Sequence, residues 1–318
     1  MSTVWLQRLQ CDGTETSFSD CSRSSWGANS ACTHSEDVII QCSASQPPGG
    51  SLDQDNPPAL TAPTASTCGH SQYYQLNSSP GAGVVGGTDT LPNEFPWMIW
   101  LSVSGSFICG GSIISERYIL TAAHCVDGQS VGSLSVVVGD HSKSSSDSGQ
   151  FTVPVESYTK HGDYNFPYND IAVIRLSQSL NFTSSWKVQK VCLPTDCSDC
   201  EPQSNAYVVG WGRLSKNNAL PDKLQKAVVN MVSDVTCAGG WGSSVFDDSI
   251  TCAGWDAGGV GICNGDSGGP LLSHLNGYFT QCGVTSFSEA SGCARYTVYD
   301  GFAKVCTFLD WIRTNTDL

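Results

Sequence analysis

Three side chains of complementary chemistry each stand inside a short signature. Ser267 lies in Gly265-Asp266-Ser267-Gly268-Gly269-Pro270, His124 in Thr121-Ala122-Ala123-His124-Cys125, and Asp170 in Asp170-Ile171-Ala172-Val173. A serine hydroxyl is a poor nucleophile until a base takes its proton. An imidazole near neutrality can take that proton and later give it to a leaving group. A buried carboxylate fixes the imidazole tautomer and stabilises the imidazolium. The glycines around Ser267 permit a tight turn that aims backbone N–H groups at a developing oxyanion. The set reads as covalent catalysis by an activated hydroxyl.

Such groups need a rigid frame. Short β-rich runs alternate with polar turns along the second part of the chain: 98–101, 118–120, 134–138, 172–176 and 207–209. That spacing predicts an all-β barrel or sandwich. The 318 residues leave room for one domain of ordinary size plus a small module. Sixteen cysteines spread along the chain predict structural disulfides and an oxidising compartment. A zinc site is the alternative for them, but Cys197-Ser198-Asp199-Cys200 is the one ligand-like spacing and no second pair follows it. No apolar run approaches the ~20 residues of a membrane span. A net charge of −14 disfavours nucleic acids and anionic membranes as partners.

His, Asp and Ser in that chain order resemble the chymotrypsin/trypsin-like serine proteases. His124 and Asp170 stand 46 positions apart and Asp170 and Ser267 stand 97 apart, close to that family's spacing. Val84-Val85-Gly86-Gly87 resembles its mature N-terminus, and Phe308-Leu309-Asp310-Trp311-Ile312 its C-terminal helix. The resemblance covers residues 84–318. It implies two six-stranded antiparallel β-barrels with a C-terminal helix and the triad in the cleft between them. It also implies a secreted endopeptidase acting on protein or peptide substrates and met by protein protease inhibitors. Gly265 and Ser267 would supply the oxyanion amides. No cofactor and no metal are expected: Asp140 and Asp147 lie in the loop where trypsins bind calcium, but Gly149 and Gln150 stand where a further acidic ligand belongs. The implied disulfides are Cys68–Cys192, Cys109–Cys125, Cys237–Cys252 and Cys263–Cys293. Four cysteines remain, assigned as Cys197–Cys200 and Cys282–Cys306.

Residues 1–42 differ in kind. Cys11-Asp12-Gly13-Thr14-Glu15, Cys21, Trp26-Gly27, Cys32 and Cys42 resemble the C-terminal half of a scavenger receptor cysteine-rich domain, in which Cys11 and Cys21 pair locally. Cys32 and Cys42 would ordinarily bond to the other half, so their pairing stays open. The opening residues lack the charged start and apolar core of a leader, which for a secreted type of protein points to an incomplete N-terminus. Residues 43–67 hold five prolines, two glycines and no aromatics and read as a linker. Residues 68–83 are the activation segment. Asn77-Ser78-Ser79 and Asn181-Phe182-Thr183 are glycosylation sequons.

Two departures from the family's commonest pattern carry information. First, the resemblance implies that a new amine at Val84 pairs with Asp266 after cleavage. Yet Gly83 precedes it, and no Arg or Lys occurs from Cys68 to Val84. Either a protease of another specificity cuts there or the chain stays uncut. Second, the specificity-pocket base falls at Gly261, where trypsins carry Asp. Counting without gaps from Cys293 puts Asp300 on the opposite wall. With Asn264, Ser286, Phe287 and Ser288, this pocket resembles that of brachyurins, crustacean collagenolytic serine proteases that accept basic and large apolar side chains. Another alignment puts Thr297 on the wall and leaves the pocket uncharged. Two further functional readings remain beside the protease: a catalytically silent homologue that acts as a binding or scaffold protein, and ligand recognition by the N-terminal module with proteolysis downstream.

Overall fold

The computed structural model describes residues 68–71, 73, 85–145, 147–183, 186–202, 206–241, 246–275, 277–289, 292–296 and 298–318. The cysteine-rich segment with its Cys11–Cys21 pair, the linker, most of residues 68–83, Val84 and Thr297 lie outside them.

The strands close two six-stranded antiparallel barrels. In the first, β2 (Met98–Val103), β3 (Ser106–Ile113), β4 (Tyr118–Thr121), β5 (Leu134–Val138), β6 (Phe151–Lys160) and β7 (Ala172–Leu176) run in the order β2-β3-β4-β7-β6-β5 and close β5 on β2. In the second, β8 (Ala206–Gly210), β9 (Gln225–Val232), β10 (Ile250–Gly254), β13 (Asp300–Lys304), β12 (Tyr278–Phe287) and β11 (Pro270–Leu275) close β11 on β8. The short strand β1 (Thr88–Asp89) adds to β9. Closure leaves no free barrel edge to recruit other chains. All five runs read from the sequence fall within strands, β2, β4, β5, β7 and β8. The β2–β3 hairpin turns on Ser104-Gly105, both at positive φ, the backbone that matches the twist of the strands it joins.

Apolar side chains fill each barrel, and a band of aromatics fills the seam. Phe95, Trp97, Tyr207 and Phe279 meet edge-on or tilted at 5.3–5.9 Å between centroids. Trp97 and Phe279 are fully enclosed. Such rings combine large apolar burial with geometry-specific contacts of about 0.5–1.5 kcal/mol per pair. The helices are peripheral: α1 (Ala123–Val126), α2 (Asp234–Trp241) and, after a 3-10 turn at Val305–Phe308, α3 (Leu309–Asn315).

Disulfides join Cys68–Cys192, Cys109–Cys125, Cys237–Cys252 and Cys263–Cys293. The remaining four cysteines pair differently from the expected Cys197–Cys200 and Cys282–Cys306. Cys197 bonds Cys306 with Cα atoms 5.0 Å apart, and Cys200 bonds Cys282 at 5.4 Å. Cys197 and Cys200 open and close one four-residue 3-10 turn. Cys200 is buried in the second barrel's cluster beside Cys282, whereas Cys197 reaches the turn behind β13 that carries Cys306. Two long bridges thus fasten the connector between the barrels to the second barrel. In the chain-entropy picture each long loop is worth roughly 4–5 kcal/mol, more than twice the worth of a three-residue ring.

Candidate active site

The first barrel presents the histidine and the carboxylate. His124 sits on α1, directly after β4, and Asp170 ends the loop that enters β7. Asn169, at φ +51°, turns the backbone so that Asp170 points inward. The Asp170 carboxylate is fully enclosed. Three donors hold it: the backbone N–H of His124 at 2.9 Å, His124 Nδ1 at 2.7 Å and the Ser286 hydroxyl at 2.5 Å. A carboxylate so held fixes imidazole orientation and tautomer, leaving Nε2 for chemistry.

Ser286, expected among the specificity-pocket residues, turns its hydroxyl onto Asp170. In the β12–β13 ladder Thr285 faces Phe302 and Phe287 faces Gly301, so Ser286 is an extra residue, a bulge. Bulges re-aim side chains, and this one turns a buried hydroxyl onto Asp170.

The second barrel presents Ser267, half-exposed in the turn before β11. Gly265 and Gly268 flank its stretch at φ +102° and +79°, backbone that an L side chain rarely adopts. Gly110 N donates to Ser267 O at 2.8 Å, which ties the turn to β3 beside the Cys109–Cys125 bridge under His124. Gly265 packs against Gly212, Leu220 and Phe107. Behind Phe107 lies a residue that sequence reasoning missed. Lys143 Nζ is buried without a hydrogen-bond acceptor, 4.6 Å from the Phe107 ring centroid. It gave no signal in the sequence, because a lysine in a serine-rich loop reads as solvated.

Asp266 is buried and accepts from Gly212 N at 2.8 Å and Cys263 N at 2.9 Å. Burial pushes its carboxyl up to about 6, against the pull of those two amides and of Lys143. The chain just after Val84 runs alongside: Gly261 N donates to Val85 O at 3.1 Å.

Asp300, at the start of β13, is buried, and its Oδ2 accepts from Ile262 N at 2.8 Å. The carboxylate lies over Gly261, where a Cβ would come within 2.2 Å of Oδ2, so only glycine leaves it room. Burial lifts this carboxyl well above the ordinary range; the nearby Asp266 adds to the lift and the Ile262 amide opposes it. Asn264 is exposed at the rim, with its carbonyl held by Arg213 N, and Ser288 is half-buried after β12. In the loop after β5, Asp140 accepts from Trp100 Nε1 at 2.6 Å and Asp147 from His141 N and Ser142 N.

A further set of residues went unread in the sequence. Trp241, Phe287, Phe166 and His124 form a chain of edge-on rings with centroids 5.0, 6.4 and 5.9 Å apart. Phe166 is 52% exposed, unusual for a phenylalanine, and the ladder of rings offers an apolar wall to an extended peptide. Its one trace in the sequence is an aromatic residue in a polar loop, Phe166-Pro167.

Residues 84–312 match the trypsin family model, and residues 1–43 match the scavenger receptor cysteine-rich domain model. Among curated proteins, Trypsin-1 of Astacus astacus is 36% identical over 242 residues, spanning 73% of this chain and 99% of that protein. Trypsin delta of Drosophila erecta is 42% identical over 239 residues, 73% of this chain and 88% of the relative. Brachyurin of Leptuca pugilator is 39% identical over 240 residues, 74% and 99% of the two chains. With both barrels closed and the family model matched over residues 84–312, the chain belongs to the trypsin family of serine endopeptidases.

Proposed function

We propose that peptide bonds are cut here by Ser267 with His124 and Asp170. The Ser267 Oγ–H bond breaks as the oxygen attacks the scissile carbonyl, and the proton passes to His124 Nε2. The tetrahedral oxyanion is met by the amides of Gly265 and Ser267. Its collapse breaks the C–N bond, and the amine leaves with the proton from His124. Water, deprotonated by the same imidazole, then frees the acyl group. The observation that carries this reading is the three-donor cradle around Asp170, which has His124 Nδ1 as a member. Stoichiometric labelling of Ser267 by a serine-directed phosphonate tests it; a chain that hydrolyses peptide amides but never takes the label would sink it.

The specificity we propose is mixed, for basic and large apolar side chains before the scissile bond. The Asp300 carboxylate over Gly261 supports it: an off-axis charge can meet Lys or Arg and leave the deep end open to Leu, Phe or Tyr. Substrates are proteins or peptides, and protein protease inhibitors compete for the same cleft. Six disulfides among the described residues and the scavenger receptor match support an extracellular setting.

Activation follows from the buried Asp266. A free amine at Val84 would offset its desolvation and order the Gly265 turn. The silent-homologue reading has one observation in its favour, Gly83 in place of a basic residue. Gly83→Arg separates the two: trypsin treatment of that variant gives a chain that starts at Val84 and gains amidase activity. A correctly cut but inert product would favour the binding protein.

A further inference from the structure

Asp300 and Asp266 hang from adjacent amides. Ile262 N donates to one carboxyl and Cys263 N to the other, so one short segment holds two buried acids side by side. Asp300 receives that one side-chain hydrogen bond, and no cation pairs with it among the described residues. The elements packed around it supply little else that is charged. Its partners across the ladders are Ala253 on β10 and, one position on, Phe287 on β12. Asp256, beyond β10, takes the Tyr299 hydroxyl. Arg295, two residues after Cys293, pairs with Glu289 at 3.0 Å. Among the described residues, Asp266, itself anionic when charged, is the ionisable neighbour whose charge reaches Asp300. A buried carboxylate with a single amide donor and an acid for a neighbour is poorly compensated, and a group in that position neutralises by keeping its proton.

We infer that Asp300 is a carboxylic acid when the pocket is empty or holds an apolar side chain, and becomes a carboxylate when Lys or Arg enters, so that pH sets the choice between the two substrate classes. Entry of the basic side chain breaks the Asp300 O–H bond. The proton goes to solvent, and the ammonium or guanidinium, already charged, pairs with the oxygen left behind. An apolar side chain binds against the neutral acid and moves no proton. This rests on the reading that Asp300 lines the pocket. The raised affinity of Asp300 for its proton, caused first by burial, agrees with it.

The sign follows from linkage. Below the pH at which Asp300 ionises, each basic substrate must displace a proton, so kcat/KM for it falls about tenfold per pH unit relative to an apolar one. Steps common to both substrate classes cancel in the ratio.

Two peptide amides that differ only in Arg or Leu before the scissile bond would be assayed between about pH 5 and 9 on the active-site-titrated protein. The Arg/Leu ratio of kcat/KM is expected to climb about tenfold per unit and then level. In Asp300→Asn it is expected to be low and flat. Calorimetry with benzamidine on the unaltered protein supplies an independent measure: in buffers of different ionisation enthalpy, binding below the plateau releases about one proton. Cleavage after Arg with a ratio that is flat in pH, or benzamidine binding with no proton released, overturns the inference while leaving the mixed pocket standing. No cleavage after Arg at any pH overturns the pocket reading, and the inference with it.

Discussion

Asp170 and Asp300 are both buried aspartates, and they have little else in common. Asp170, on the first barrel, is surrounded by three donors, one of them an imidazole that can become a cation. Asp300, on the second, has one amide and lies near another acid. Burial favours the neutral form of Asp300. What separates them is the number of donors that face the oxygens. The difference suits the proposed roles: one carboxylate orients an imidazole through every turnover, and the other meets a cation only when one arrives.

Each side of that comparison can be broken in turn. Ser267→Ala removes the nucleophile shared by all substrates and is expected to lower kcat by a factor on the order of 10⁶. Its thermal melt should match that of the parent, because the hydroxyl is half-exposed and not part of the core. Residual amide hydrolysis at parental rates would mean that another residue attacks.

Ser286→Ala takes one donor from Asp170. A hydrogen bond to a charged group is worth about 1.5–3 kcal/mol, so kcat/KM is expected to drop roughly 10- to 150-fold. The loss should be equal for Arg and Leu substrates. A loss confined to one class would show that Ser286 acts through the specificity pocket.

Asp300→Gly works on the other carboxylate and predicts the opposite pattern. A similar loss of about 1.5–3 kcal/mol is expected on Arg and Lys substrates, with Leu and Phe substrates nearly unchanged because their gain is apolar burial. Equal losses in a peptide-library profile would favour an uncharged pocket.

The smallest change is Gly261→Ala. The added methyl meets Asp300 Oδ2, and overpacking of this kind costs about 1–3 kcal/mol. Urea unfolding would register that cost, and activity on Arg substrates should fall before activity on Leu substrates. A fully stable variant with parental specificity would show that the carboxylate has other room.

How much of this was readable depends on the range of the contact concerned. The five strand runs could be read because β periodicity is local, and His124, Asp170 and Ser267 because each carries its own signature. That Asp300 lies over Gly261 agrees with the ungapped count from Cys293 that the resemblance suggested. The bulge at Ser286 was hidden, since an extra residue in a ladder is defined only by the partner strand. The bridges of Cys197 and Cys200 were hidden for the same reason: sequence offers the three-residue ring first, and only the packed barrel reveals which sulfur faces β12 and which faces the turn behind β13. Phe166 and Trp241 come from distant loops, and nothing in either segment announces that they meet Phe287.

The Cys68–Cys192 bridge has a consequence for anything fused upstream. A cut before Val84 would sever the backbone yet release nothing, since residue 68 stays bonded to residue 192. The product would be a two-chain molecule that migrates as one species on a non-reducing gel and as two after reduction. The scavenger receptor segment would remain leashed to the working protease, so whatever surface that segment holds becomes the place where the cutting is done.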